Sequence, residues 1–427
     1  VSISKSKQVE RRRFLQESAV AAAAVSLSSV PAVHADGSDI LRIGLVGCGG
    51  RGTGAASNAL RADPNVKLVA MGDAFRDKLD GSLAALRRDA AVAQRVDVPQ
   101  ERQFAGFDAY QQVINSGVDV VLLCTPPHFR PAHLDAAVRA NKHIFCEKPV
   151  AVDAPGVRKV LATSQEAQRR RLCLVSGLCY RYEHAKRETM SRVHDGAIGD
   201  IVALHTSYNM GALWHRERQP GWSDMEWQLR NWLYFTWLSG DFNVEQHIHS
   251  LDKMAWVMRD QYPVRATALG GRQVRTAAVF GNIFDHHATV YEYANGVKCF
   301  SYCRQQAGCA VDVSDHIMGT LGKCDVQRHQ ISGRTPWRAP RSRNDDMYQN
   351  EHNELFAAIR AGRIINNGDY MAKSTLMAIM GRMASYTGQT ITWEDALNSR
   401  EDLTPARYEW GALPVAPVAQ PGITQFS

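Results

Sequence analysis

Leu41-Arg42-Ile43-Gly44-Leu45-Val46-Gly47-Cys48-Gly49-Gly50-Arg51-Gly52 sets a short apolar run against a glycine-rich turn. A small-residue stretch, Thr53 to Ala62, follows and reads as a helix. The spacing G-x-G-x-x-G carries weight only when a strand precedes it and a helix follows, and both stand here. In that setting Gly47 permits the tight turn, and Gly49 lets the backbone approach a pyrophosphate. Gly52 lets helix and strand pack closely, while the free N–H groups of the helix start face the phosphates. Gly50 and Arg51 complete the loop.

The pattern repeats downstream. Val66 to Met71 reads as a second strand ending at Gly72-Asp73, where a carboxylate can accept hydrogen bonds from ribose hydroxyls and repel a 2′-phosphate. This favours NAD over NADP, although Arg76 stands close by. Phe107 to Asn115 and Pro131 to Ala140 read as helices, and Asp119 to Cys124 as a fully apolar strand. Asp153 caps a helix running through Gln168, and Leu172 to Ser176 is a further strand. Strands and helices alternating at this spacing predict an α/β domain with a doubly wound parallel Rossmann sheet.

Lys142-His143-Ile144-Phe145-Cys146-Glu147-Lys148-Pro149 supplies another strand, running directly into an acid, a base and a proline. Charges just past a strand's carboxyl end sit where open α/β sheets bind ligands. With the glycine loop and Cys124-Thr125-Pro126, the Glu147-Lys148-Pro149 run resembles the Gfo/Idh/MocA oxidoreductases, named for glucose–fructose oxidoreductase and inositol dehydrogenase. The resemblance covers nearly all of the chain beyond its first residues. It implies that Glu147 lies near the nicotinamide ribose, that Lys148 is the catalytic acid/base, and that Thr125, Pro126 and His128 lie along the cofactor. After Pro126 the chain departs from the family, with Pro127 and Arg130 where an asparagine and a histidine are common.

Beyond Ser176 the composition changes. Ile201–Asn209, Val264–Leu269, His287–Tyr293, Val297–Tyr302 and Val311–Met318 alternate like strands wetted on one face, predicting a second, α+β domain with an open, mainly antiparallel sheet. Between the first two lies a dense aromatic segment: Trp214, Trp222, Trp227, Trp232, Tyr234, Phe235 and Trp237. Such rings serve either as core packing or as a wall against the apolar face of a sugar. Trp232, Tyr234 and Trp237 are the candidates for the wall. If the chain is helical from about Val244, Glu245 and His249 share one face. This matches the carboxylate-x-x-x-histidine element of the family, in which the histidine stands beside the lysine at the reacting hydroxyl. His247 occupies a commonly small position and is expected at the substrate. A metal reading of Glu245, His247 and His249 needs strand geometry, since a helix turns His247 away, so no metal is expected. Arg181 and Tyr182 are candidates for the nicotinamide side. Asn350–Ala361 and Met371–Tyr386 read as helices, and the proline-rich tail is expected to wrap a neighbouring surface or another subunit.

Composition bounds the rest. The 427 residues allow two or three domains, and 45% hydrophobic with 22% charged residues is ordinary for a soluble globular chain. The net charge of +7 is partly concentrated in residues 1–35, where Lys5, Lys7, Arg11, Arg12 and Arg13 oppose Glu10 and Glu17, so nucleic acid is not an expected partner. Arg11-Arg12-Arg13-Phe14-Leu15 before an alanine-rich run has the layout of a twin-arginine signal. The expectation is export to the periplasm, with no membrane insertion after signal removal. Nine cysteines without paired spacing read as buried free thiols. The domains read as 1–35 signal, 36–178 dinucleotide domain, 179–395 substrate and oligomerisation domain, and 396–427 tail. The whole points to an NAD-dependent oxidoreductase acting on a sugar, glycoside or polyol hydroxyl, with a tightly bound cofactor. Lys148 would be the base, and His249, oriented by Glu245, its partner. Alternatives are a redox-neutral NAD-dependent glycoside hydrolase of the same fold and a non-catalytic carbohydrate-binding protein. The family resemblance implies a homo-oligomer.

Overall fold

The computed structural model describes residues 39–340 and 345–427. The twin-arginine segment lies outside them. In the first sheet the apolar runs become strands and the small-residue or amphipathic runs become helices. In order these are β1 (Leu41–Val46), α1 (Gly50–Ala62), β2 (Val66–Asp73), α2 (Arg76–Arg88), β3 (Gln103–Ala105), α3 (Ala109–Asn115), β4 (Val120–Leu123), α4 (Arg130–Arg139), β5 (His143–Cys146), α5 (Ala154–Arg169) and β6 (Leu174–Ser176). The six strands run parallel in the order β3-β2-β1-β4-β5-β6. Strand order reverses between β1 and β4, which opens a crevice at their carboxyl ends. β3 is only three residues long and has no apolar run to announce it. Asp153 caps α5 by accepting from the Gly156 N–H at 2.8 Å.

The chain then crosses α6 (His184–His194) into β7 (Ile201–Met210). The aromatic segment and the residues after it fold into α7 (Asp224–Arg230), α8 (Thr236–Ser239), α9 (Phe242–Glu245) and α10 (Ile248–Val257). Strands β8 (Arg265–Gly271), β9 (His286–Glu292), β10 (Lys298–Gln305), β11 (Asp312–Gly319), β12 (Gly322–Asp325), β13 (Gln330–Gly333) and β14 (Trp337–Arg338) follow, then α11 (Met347–Arg360), α12 (Gly368–Thr387) and β15 (Ile391–Thr392). These strands form a nine-stranded sheet, β14-β13-β12-β11-β7-β10-β9-β8-β15. It is antiparallel except where β10 lies parallel to β7. Apolar α12, buried almost throughout, packs on β8, β9 and α5 and so joins the two sheets. α11 comes late in the chain yet packs on α1 of the first sheet. Among the described residues, no helix is long and apolar enough to cross a membrane.

All nine cysteines are free; Cys309 alone is exposed, and Cys124 is half-buried. The C-terminal tail lies on its own chain. Leu403 N donates to Asp153 Oδ2 at 3.0 Å, Met225 N to the Gly411 carbonyl at 3.1 Å, and Leu413 N to Asp224 Oδ2 at 3.1 Å.

One charge pair lies wholly inside the second domain: Lys253 Nζ of α10 stands 2.5 Å from Asp315 Oδ2 of β11, both side chains fully buried. Removing one partner leaves the other charge without compensation. Asp315→Ala should therefore cost about 3–5 kcal/mol in denaturant unfolding. Arg265→Ala, which breaks the more exposed pair with Glu292, should cost about 1 kcal/mol or less.

Candidate active site

A cavity of about 620 Å³ opens over the crevice, lined by the glycine loop, the ends of β2, β4 and β5, and segments of the second domain. Its floor begins at the turn after β1. Gly47 has φ +94°, and a Cβ there would meet Thr125 N at 2.5 Å, so the turn requires glycine. A Cβ on Gly49 or Gly50 would meet nothing within 4 Å, leaving open space above the loop. The N-cap Gly49 provides no side-chain cap to the 13-residue α1, so its first N–H groups are free for an anion. These features fit the pyrophosphate of a dinucleotide.

Asp73 ends β2 beside the loop, its Oδ2 accepting from Cys48 N at 2.6 Å and its Oδ1 from Phe75 N at 2.9 Å. Burial raises its pKa, while those two N–H groups oppose the rise. Phe75, Lys78 and Phe107 complete this end of the cavity. Arg230 of α7 bridges it from the second domain, donating to both Asp77 oxygens at 2.9 and 3.0 Å and lying 3.9 Å from the centre of the Phe75 ring. Trp410 of the tail backs Phe75 and Phe107 at centroid distances of 5.4 and 4.6 Å.

The opposite end holds the titratable groups. Glu147 is buried, its Oε1 accepting from Arg51 Nε and its Oε2 from Lys148 N at 3.0 Å. Arg51 also donates to the fully buried Glu351 of α11 at 2.7 Å. Burial pushes the Glu351 carboxyl well above the usual carboxylate range, against the pull of Arg51. Lys148 Nζ donates to Glu245 Oε1 at 2.8 Å and to the Glu245 carbonyl at 2.5 Å. His249 is half-buried, with Nδ1 buried and without a hydrogen-bond partner, and its ring meets Tyr180 edge-on at 5.3 Å. Burial, then the nearby Lys148 and Lys253 charges, hold its pKa well below the ordinary histidine value.

The cavity brings together Gly47, Gly49, Gly50, Arg51, Gly52 and Asp73 with Thr125, Pro126, Glu147 and Lys148, and with Glu245, His249 and Trp232 from the second domain. The expected single helix is broken: α9 ends at Glu245 and α10 begins at Ile248. Glu245 therefore bonds Lys148, not His249.

Six expected site residues do not line the cavity. Arg181 is held in the interior by Asp252 and Asp260, 2.9 and 2.6 Å from Nη2, and lies over the Tyr370 ring. Tyr182 is buried, its hydroxyl donating to Asn367 Oδ1 at 2.7 Å. His128 is buried beneath the tail, with Nε2 2.7 Å from the Tyr408 hydroxyl. Tyr234 is buried and donates to the Leu213 carbonyl, while Trp237 Nε1 donates to Gln228 Oε1 and the ring packs on His128. His247 is buried against β10, with Nε2 2.6 Å from Ser301 Oγ. Rings and charges that satisfy one another inside the fold leave little polar surface for a ligand. Most of the aromatic segment is core; Trp214 and Trp232 are the tryptophans on the cavity. Among the described residues, no group of three or more metal-ligating side chains forms.

Sequence reading passes over Glu351 and Arg130. Glu351 lies 300 positions from the arginine it pairs with, and no local pattern marks it. Arg130 stands out in the sequence only as a departure from a family motif.

The Glu147 carboxylate rests on a bare backbone: a Cβ on Gly177 would stand 2.7 Å from Oε2 and 2.8 Å from Cδ. Gly177→Ala should displace the carboxylate and weaken dinucleotide binding about tenfold, the equivalent of one charge-assisted hydrogen bond. Gly81→Ala, in open space on α2, should leave binding unchanged. Calorimetric titration with NAD reads both.

Residues 41–175 match the model of an oxidoreductase family described by its NAD-binding Rossmann fold. The chain is 26% identical to an inositol 2-dehydrogenase of Cereibacter sphaeroides over 66% of this chain and 72% of that protein. It is 23% identical to a 2,7-anhydro-N-acetylneuraminate hydratase of Escherichia coli, over 56% of this chain and 59% of that protein. The crystal structure of an aldose–aldose oxidoreductase from Caulobacter crescentus shares the fold, with a TM-score of 0.63 at 18% identity over 83% of this chain and 99% of that one. The match over residues 41–175 is thus to the NAD-binding part of the Gfo/Idh/MocA oxidoreductase family, and the likeness to the solved structure is one of fold.

Proposed function

We propose that this chain is an NAD-dependent oxidoreductase acting on a hydroxyl of a sugar, glycoside or polyol, with the cofactor bound tightly. The observation that carries the reading is the Lys148–Glu245 pair, set in one cavity with a glycine loop fitted to a dinucleotide and with His249. The inositol, aldose and anhydro-sugar chemistry named for the relatives supports the substrate class. Asp73 beside the loop supports NAD over NADP.

When bound, the nicotinamide supplies the hydride acceptor. Lys148, having first passed a proton to Glu245, takes the hydroxyl proton as the C–H bond gives up its hydride and the carbon becomes a carbonyl. Glu245 Oε1, already hydrogen-bonded to Nζ, is placed to receive a proton that Lys148 passes on. His249 stays neutral and can hydrogen-bond the same oxygen. The half-buried Trp232 and exposed Trp214 rings offer apolar faces to a sugar. A second, redox-neutral reading, in which substrate oxidation is followed by re-reduction on the same cofactor, is supported by the likeness to a hydratase. We further propose twin-arginine export to the periplasm and assembly into a homo-oligomer.

Nucleotide released from the folded protein should be identified by mass spectrometry as NAD(H). Protein carrying and binding neither NAD(H) nor NADP(H) would sink the reading. Lys148→Ala should lower turnover about 10²–10⁴-fold with nucleotide retained. Release of aglycone from a glycoside without net cofactor reduction would select the redox-neutral reading. Because protonation of His249 is disfavoured, its neutral form persists as pH falls. The rate profile should then lack an acid limb near the ordinary histidine value of about 6.5.

A further inference from the structure

Three cations stand at the reactive end of the cavity, and two have their counter-charges. Arg51 pairs with Glu147 and Glu351, and Lys148 pairs with Glu245. The third, Arg130, lies at the start of α4 and is only 5% exposed. Among the described residues no carboxylate lies within ion-pair distance of it, and the Glu147 and Glu245 charges act on it only from farther away. Its Nη1 donates to the Pro149 carbonyl, one residue past Lys148, and its Nε is buried without any partner. A buried guanidinium stays charged, and leaving that charge without a direct partner is costly. The Pro149 contact satisfies one donor of five, so holding a loop is a thin reason for burying a full charge. Arg130 lines the cavity beside Glu147 and Lys148, at the carboxyl ends of β4 and β5, the end away from Asp73 and Phe75. That is the end a nicotinamide takes when the pyrophosphate rests on the glycine loop.

We propose that Arg130 tunes the cofactor: its charge, lacking a direct ion-pair partner, disfavours the cationic, oxidised nicotinamide relative to the neutral, reduced one. The inference rests on the oxidoreductase reading above. Hydride leaving the hydroxyl-bearing carbon brings two electrons and one proton to the ring and cancels the ring's positive charge. The hydroxyl proton goes to Lys148. Repulsion from Arg130 is relieved in that direction and restored in the other, so the site favours substrate oxidation and holds the reduced cofactor more firmly. A buried charge acts through a low effective dielectric, where salt screens it little.

The test compares NAD+ and NADH binding to the full chain by competitive titration. Wild-type protein should prefer NADH. Arg130→Met should lower the ratio Kd(NAD+)/Kd(NADH) about tenfold, which is about 1.4 kcal/mol. Arg130→Lys should keep the ratio high. Arg130→Gln retains an N–H for the Pro149 carbonyl without the charge; it should behave as Arg130→Met and serves in its place if that variant does not fold. If the uncharged variants weaken both forms equally and leave the ratio unmoved, Arg130 only holds the Pro149 turn and the proposal is overturned. A ratio that Arg130→Lys fails to keep would also overturn it, because charge would not be the cause. Wild-type protein binding neither form would overturn the oxidoreductase reading itself, an outcome distinct from an unmoved ratio.

Discussion

The structure of the site depends on one buried carboxylate. Glu147 uses both oxygens, accepting from the Arg51 guanidinium on one side and from the Lys148 backbone on the other. Through that side chain the turn after β1 is tied to the turn after β5. Arg51 extends the tie to Glu351 on α11, a helix that the chain reaches only after eight of the nine strands of the second sheet. Without a counter-charge, burying Glu147 would cost several kcal/mol. With Arg51 across from it, the same burial fixes the backbone that carries Lys148. The bare backbone of Gly177 makes the room for it, since a side chain there would overlap the carboxylate.

Around this pair the interior sorts charges by what they can reach. His352, next to Glu351, is buried with neither ring nitrogen bonded, its ring 4.3 Å from that of Phe145, and burial then the Arg51 charge hold its pKa well below the ordinary value. His249 is held neutral in the same way, with Lys148 and Lys253 adding to the effect of burial. A histidine close to lysines is thus kept as a neutral hydrogen-bonding group, while Lys148 meets the Glu245 carboxylate at Nζ. The division of labour follows from which side chain has an anion within reach.

The first sheet was legible because its information is local. An apolar strand, a turn requiring Gly47 and a small-residue helix lie within about twenty residues, and a parallel sheet with helical crossovers is the architecture that buries such a pattern. The long strands of the second sheet were legible by alternation. β3, β12, β13 and β14, of two to four residues each, were too short to alternate. At the site, Lys148, Glu147, Asp73 and the loop glycines announced themselves by standing at strand ends. Residues chosen for their chemistry alone fared differently. Arg181, Tyr182, Tyr234, Trp237, His128 and His247 have functional side chains, but other protein groups hold them, several far along the chain: Asn367 for Tyr182, Tyr408 for His128, Ser301 for His247. No local pattern shows a contact across 54 to 280 positions. The Gln246–His247 break between α9 and α10 was hidden for a related reason. Asp241, at φ +75°, caps α9 and is held by Phe284 N and the Tyr386 hydroxyl, so tertiary contacts set where the helix starts.

The same long-range logic explains why the Asp73 end of the cavity needs three parts of the chain. α2 supplies Asp77, with Phe75 just ahead of it; the second domain supplies Arg230, and the tail supplies Trp410. Arg230 would be a weak surface ion pair if it met Asp77 alone, because that carboxylate is largely exposed. It gains from lying 3.9 Å from the centre of the Phe75 ring and 5.1 Å from the Trp222 ring while also bonding Glu226 at 2.8 Å. The guanidinium is therefore oriented by its own helix before it reaches the first domain. A contact whose geometry is set on one side loses little entropy on closing. The aromatic segment, read from sequence as a sugar wall or a core, is mainly the core that stiffens this arm. Its large rings hold Arg230 over one end of the cavity and present Trp232 along its wall.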